Sequence, residues 1–252
     1  MTANAPRSFR SVAVASVATT VGLIILISLG VWQLKRLAWK EALIATLHER
    51  LAAAPVPLPP PSRWSGLTAE DSEFRRVRLH VDFPELPRAA LYAGAPALRA
   101  DIKGPGYFIF APARLPGGAI VVINVGWVSA EKKYEWSGAG RDIIGYLRWP
   151  EQPGLFMPAH NESDDIWFVR DPQAMAGQLG WGKVAPFYID MEAPVPASGQ
   201  PRPGPLTVNL RNNHLGYALT WFGLAGTLAC IFAFWLYFGR RKTVNAEARP
   251  SL

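Results

Sequence analysis

The chain has a single cysteine in 252 residues. That excludes an intramolecular disulfide, a CxxC zinc site and a thiol-redox pair. A secreted disulfide scaffold is therefore out, whereas an extracytoplasmic domain built without disulfides is not. Charge is scarce as well: 18% of residues are Asp, Glu, Lys or Arg, against about 25% in ordinary soluble domains. Catalytic motifs are missing. There is no G-x-S-x-G, G-x-x-x-x-G-K-[ST] or H-E-x-x-H, no G-x-G-x-x-G after a strand, and no internal repeat. The expectation is a protein that is not an enzyme. Aromatic residues are plentiful, with 10 Trp, 12 Phe and 7 Tyr, which excludes global disorder.

The formal net charge of +7 invites a nucleic-acid reading until it is located. Arg7 and Arg10 precede the first apolar run, and Arg240, Arg241, Lys242 and Arg249 follow the last, against Glu247. The stretch between them is nearly balanced, with 20 basic and 18 acidic residues. Basic tails beside long apolar runs form a membrane-topology pattern, and no nucleic-acid partner is expected.

Two runs are long enough to cross a bilayer. Ser11 to Leu34 holds 24 residues without a charge, and another 28 lie between Arg211 and Arg240. A bilayer core of about 30 Å needs about 20 helical residues. The first run exceeds the roughly 7–15 apolar residues of a cleaved signal and no A-x-A site follows closely. It continues instead into WQLKRLAWKEALIATLHERLAAA, where Leu37, Ile44 and Leu51 recur at spacing seven until Pro55 ends the helix. The expected organisation is a tail over 1–11, a transmembrane helix over 12–34, an amphipathic extension over 35–54, a central domain over 55–211, a second transmembrane helix over 212–239 and a basic tail over 240–252. Within reach of the spans the tails carry six Lys or Arg and the flanks of the central domain five. Arg240-Arg241-Lys242 tips the balance toward cytoplasmic termini and an outside domain.

The fold class expected is a membrane protein in which two transmembrane α-helices flank a β-rich, α+β extracytoplasmic domain. Phe74–Phe83 alternates, with Val77, Leu79, Val81 and Phe83 on one face and Arg76, Arg78, His80 and Asp82 on the other. Further strands are expected over 90–93, 106–114, 119–128, 142–149, 166–170 and 187–191. Leu115–Gly118 reads as a hairpin turn, and 171–179 as a short helix with Asp171 as N-cap and Pro172 at its first position. Pro55–Pro61 and Ala193–Pro205 read as stiff linkers.

Few residues suggest chemistry. His160, Glu162, Asp164 and Asp165 are either a cation site or a solvated loop, and Asn161-Glu162-Ser163 fits a glycosylation sequon that is common by chance. His80 and His48 have no partner evident in the sequence. His214 stands apart, at the start of the second span. It is either an interfacial imidazole behind an N-cap at Asn212 or Asn213, or a ligand: His214, Tyr217, Ala218 and Trp221 fall on one helical stripe. An imidazole among small and aromatic residues suits a flat apolar cofactor with a central metal, and haem iron commonly takes an axial histidine. With two spans, Trp32 and Gln33 end the first helix at the same membrane face, and the expectation is one shallow cofactor-binding site formed by His214, Tyr217, Trp221, Trp32 and Gln33.

GVWQLKRLAWKEALI, GYFIFAPARL, INVGWV and NNHLGYALTWFGLA occur in an order that resembles the surfeit locus protein family, over about Gly30 to Trp235. The resemblance implies an assembly factor for haem-copper cytochrome c oxidase that promotes maturation of subunit I. In bacterial members it implies binding of haem a and help in its delivery, with His214 at the position of the proposed iron ligand. Partners implied are subunit I, haem a synthase and the lipid bilayer; a cofactor-free scaffold for an assembly intermediate is the alternative. One departure is visible. The family usually has arginine in an N-R-G-W segment, where this chain has Asn124-Val125-Gly126-Trp127. A contact of that arginine with a partner or a haem propionate is lost here or supplied differently. The eleven residues before the first span are short and weakly basic for a mitochondrial transit peptide. A bacterial cytoplasmic membrane with a periplasmic domain is the expected location.

Overall fold

Proline decides where the first element ends. In the computed structural model, α1 runs unbroken over Phe9–Ala52 and stops just before Pro55. The structure describes residues 9–85, 89–94, 98–131, 139–152, 160–161, 166–207 and 212–247, the last eight as backbone only. They form two compact units, Ala45–Asn209 and the pair Met1–Ile44 with Leu210–Leu252.

The central unit is a mixed sheet. After α1 come β1 (Val56–Pro57), a 3₁₀ turn (Pro61–Gly66), α2 (Ala69–Ser72), β2 (Arg76–Asp82), β3 (Ala90–Tyr92), β4 (Gly106–Arg114), β5 (Ile120–Ser129) and β6 (Gly140–Arg148). Next are β7 (His160–Asn161), β8 (Ile166–Trp167), α3 (Pro172–Leu179) and β9 (Val184–Ala193), and α4 (His214–Glu247) is the last element among the described residues. The strand order is β1-β2-β6-β9-β5-β4-β3-β8-β7. Asp82 of β2 also pairs with Arg114 of β4, so the sheet curls until its members meet. The Leu115–Gly118 hairpin joins β4 and β5 as expected, closed by a Gly118 N–H to Leu115 carbonyl bond of 2.8 Å. Pairings β1–β2, β3–β8 and β5–β9 are parallel.

Alternation sorts side chains onto two buried faces. On one, Val77, Val81, Ile109, Ala111, Ile123, Phe187 and Ile189 form a continuous core, with Trp64 edge-on to Phe187 at 5.3 Å between centroids. Burying a side chain such as Phe187 contributes about 1.5–3 kcal/mol. On the other, Phe110, Val122 and Tyr188 lie with Met175, Ala176 and Leu179 of α3. That helix begins as its sequence dictates: Asp171 accepts from the Gln173 and Ala174 N–H groups, and Pro172 follows.

The proline-rich stretches expected to be linkers are instead part of the domain. Val56–Pro57 is a parallel edge strand, and Pro59 accepts the Trp64 indole N–H at 2.8 Å. Beyond β9, which reaches Ala193, Pro201, Pro203, Gly204 and Leu206 are buried. Arg202 exchanges two backbone bonds with Trp127 (3.1 and 2.8 Å), and the Gly204 N–H reaches the Met191 carbonyl at 3.2 Å. Gly126 permits this close passage: at φ +125° it has no side chain, and a Cβ there would stand 2.4 Å from the Arg202 and Pro203 backbone. Short proline segments pack well because they have few N–H groups to satisfy. Strand ends also differ from expectation, with β8 stopping at Trp167 and β9 starting at Val184.

A buried polar network crosses the second face. Asp190, 6% exposed, accepts from Asn124 Nδ2 at 2.6 Å and from Arg148 Nη1 at 3.0 Å. Arg148, itself 7% exposed, also donates Nε to Glu73 at 3.2 Å, while Asn124 Oδ1 accepts the Gly126 N–H at 3.2 Å. Removing one partner of a buried ion pair leaves the other uncompensated and costs about 3–5 kcal/mol. Arg148→Ala is therefore expected to destabilise the domain by about that much in chemical denaturation of the purified chain.

Two buried phenols add an alkaline limit. Burial, with Glu192 beside it, pushes the Tyr146 phenol up to about 12, and burial beside Asp190 also raises Tyr188. Both phenols are favoured neutral in the fold, so their contribution is complete below the ordinary tyrosine value of about 10. For Tyr146 it is lost as pH rises from there through about 12. Stability should fall across that interval together with tyrosinate absorbance, and Tyr146→Phe should lose less of it than the parent chain.

Candidate functional site

Two helices are apolar and long enough to cross a membrane: α1, with a mean hydropathy of 2.4 in its most apolar window, and His214–Gly239 of α4, with 1.8. They pack antiparallel, because successive contacts run in opposite chain directions. Gln33 meets His214, Gly30 meets Phe222, and Gly22 lies nearest Leu228. Small residues make the approach possible. Gly30, Ala218 and Ala225 are the buried positions on this pair. Apolar helices in lipid gain no hydrophobic drive from each other and associate through close packing and polar contacts.

The polar contact is His214 with Gln33. His214 is the first residue of α4, and its Nδ1 lies 2.7 Å from Gln33 Oε1 in a half-buried setting. A carbonyl oxygen accepts, so Nδ1 carries the proton. Nε2 then keeps its lone pair, and no hydrogen bond to it is found among the described residues. In its neutral form an imidazole held this way carries its available lone pair on Nε2.

The other candidate residues are distributed unevenly. Trp221 is half-buried and follows Ala218 along the packed side of α4. Tyr217 and Trp32 project outward, 56% and 55% exposed. The helix start agrees with an N-cap at Asn213, whose carbonyl accepts the Tyr217 N–H at 3.3 Å. The Asn212 Oδ1 atom is buried without a partner.

In the central domain, His80 gains the partner the sequence did not reveal. Its Nδ1 lies 2.9 Å from Asp142 Oδ1 across the β2–β6 pair, on the wall of an open groove of about 650 Å³. His48 borders a second cavity of about 300 Å³ with Arg76, Tyr146 and Glu192. His160 stacks on Trp167 at 4.3 Å, while Glu162, Ser163, Asp164 and Asp165 lie outside the described residues. Among the described residues no group of three or more His, Cys, Asp or Glu side chains is placed to hold a metal. Val125, where the resemblance led one to look for arginine, is buried in the core of the first face. Its side chain packs and offers nothing to a partner. The packing seam of Gly30, Ala218 and Ala225 was missed by sequence reasoning, although the spacing of seven between the two alanines was there to be seen.

Comparison with known proteins gives a consistent result. A model of the SURF1 family matches residues 21–226. The chain is similar to Surfeit locus protein 1 of Mus musculus, 31% identical over 220 residues that cover 81% of this chain and 70% of the relative. It is similar to the SURF1-like protein of Drosophila melanogaster, 31% identical over 85% of this chain and 73% of the relative. A bacterial SURF1-like protein, from Rickettsia bellii, is 28% identical over 84% of this chain and 86% of its own length.

The helix pair itself yields a test. A Cβ at Gly30 would stand 2.6 Å from the Phe222 ring. Gly30→Ile should cost about 1–3 kcal/mol by overpacking, read as a lower thermal midpoint in detergent. Phe222→Ala placed in the same chain should recover part of it.

Proposed function

Since this chain belongs to the SURF1 family of cytochrome c oxidase assembly factors, we propose that it binds haem a and assists delivery of that cofactor to subunit I of a haem-copper oxidase. One observation supports the cofactor reading above others. His214 donates Nδ1–H to Gln33 Oε1 at 2.7 Å, which leaves Nε2 as the donor a haem iron requires. The residues therefore fit the group on donor chemistry. When bound, haem would supply an iron that accepts a nitrogen ligand and a broad apolar ring. His214 Nε2 would hold the iron. Trp221, Tyr217 and Trp32 would offer aromatic surface to the ring, the last two from exposed positions. His214 itself is half-buried at a helix start. A single accessible ligand suits a carrier that must release its cargo.

The role is that of an assembly factor and not of a catalyst. In this reading the chain lies in a bacterial cytoplasmic membrane as a two-pass protein, with both termini cytoplasmic and the central domain periplasmic. Haem a synthase is the proposed donor and subunit I the acceptor. A second reading draws on the same contact: a His214–Gln33 bond also pins two helices, as a cofactor-free scaffold for an assembly intermediate would need.

An absorption spectrum separates the two. Purified from membranes that contain haem a, the protein should show a ferrous haem band, and His214→Ala should reduce the retained haem about tenfold, the equivalent of about 1.4 kcal/mol. A colourless preparation that still associates with subunit I would favour the scaffold.

A further inference from the structure

The contact between the two spans has a polarity that a mere tether would not need. Gln33 presents its carbonyl oxygen, not its amide nitrogen, to His214 Nδ1. In an unconstrained neutral histidine the proton prefers Nε2, which would block that atom as a ligand. An acceptor held 2.7 Å from Nδ1 reverses the preference and fixes the ring plane as well. The surroundings strengthen the effect. The pair sits where two apolar helices pack, with Ala218 buried one turn below His214 and Gly30 buried one turn before Gln33. The pair is part-buried there, and a hydrogen bond beside apolar side chains gains strength from a lowered dielectric.

We infer that Gln33 is a positioning residue: its carbonyl sets the Nδ1–H tautomer and the orientation of His214, and so makes Nε2 a metal-ready donor before any cofactor arrives. This rests on the reading of His214 as an iron ligand. Gln33 touches neither iron nor ring in this scheme and acts only through the imidazole. Partners of this kind typically alter metal affinity by about 10–100-fold when removed.

The test uses the full chain in detergent, titrated with haemin, with the midpoint potential of the bound iron as a second readout. Gln33→Leu removes the acceptor and should weaken haemin binding by about 10–100-fold. Gln33→Glu restores an acceptor of greater strength. It should return the affinity and lower the midpoint potential below that of the parent, because a carboxylate makes the imidazole a stronger donor to ferric iron. Haemin affinity unchanged in Gln33→Leu would overturn the inference. So would a Gln33→Glu chain that binds haemin with an unaltered midpoint, since Gln33 would then only join the helices. Should Gln33→Leu fail to fold, the Gln33→Glu midpoint decides alone. His214→Ala runs alongside. Full haemin binding in that variant would remove the ligand reading itself, a result distinct from failure at Gln33 alone.

Discussion

A carboxylate shut away from water, that of Asp190, is the constraint on which the central domain depends. Its strand, β9, lies between β5 and β6, and its two oxygens take one partner from each: Asn124 and Arg148. A buried charge without such partners would cost several kcal/mol, so the three strands are held in one register or the domain suffers. The dependence spreads in both directions. Through Arg148 it reaches Glu73, whose backbone carbonyl also receives Arg50 from the last turns of α1 at 3.1 Å. Through Asn124 it reaches Gly126, whose missing side chain lets the returning chain at Arg202 and Pro203 pass close against β5.

What the sequence made legible follows from the range of the forces involved. The β2 alternation, the Leu115–Gly118 hairpin and the Asp171-capped helix are each set by neighbours a few residues apart, and all appear as read. The Asp190 network joins residues 42 and 66 positions apart, and no local pattern marks an aspartate that will be buried. Proline misled for a related reason. A stretch such as 193–205 lacks the hydropathy of a core segment, yet it packs because its ring carbons bury well and its backbone asks for few partners. The His214–Gln33 pair, 181 residues apart, was legible only as far as two expected spans would bring both residues to the same end of a helix pair. That they would bond, and through which atoms, depends on the small residues that let the helices approach.

The two units solve one problem at different strengths. Each holds polar groups among apolar ones and pairs its principal ones, because an unpaired donor or acceptor in such surroundings is expensive. In the central domain the Asp190 network is charged, several-fold connected and buried. Between the two helices the His214–Gln33 bond is half-buried and lies at the end of the seam. The first arrangement resists change. The second leaves His214 Nε2 without a hydrogen bond among the described residues, as the proposed transient binding requires.

The cavity of about 300 Å³ beside Tyr146 has a further meaning in its lining. Its walls include Leu51 and Ala52, where the chain arrives in the central domain, and Pro205, Leu206 and Thr207, where it is about to leave. Arrival and departure thus meet within the domain's own contacts. A unit whose two ends come together closes its own boundary and can be exchanged between chains as a module, because a host need only offer two attachment points side by side. The domain is built as an insert.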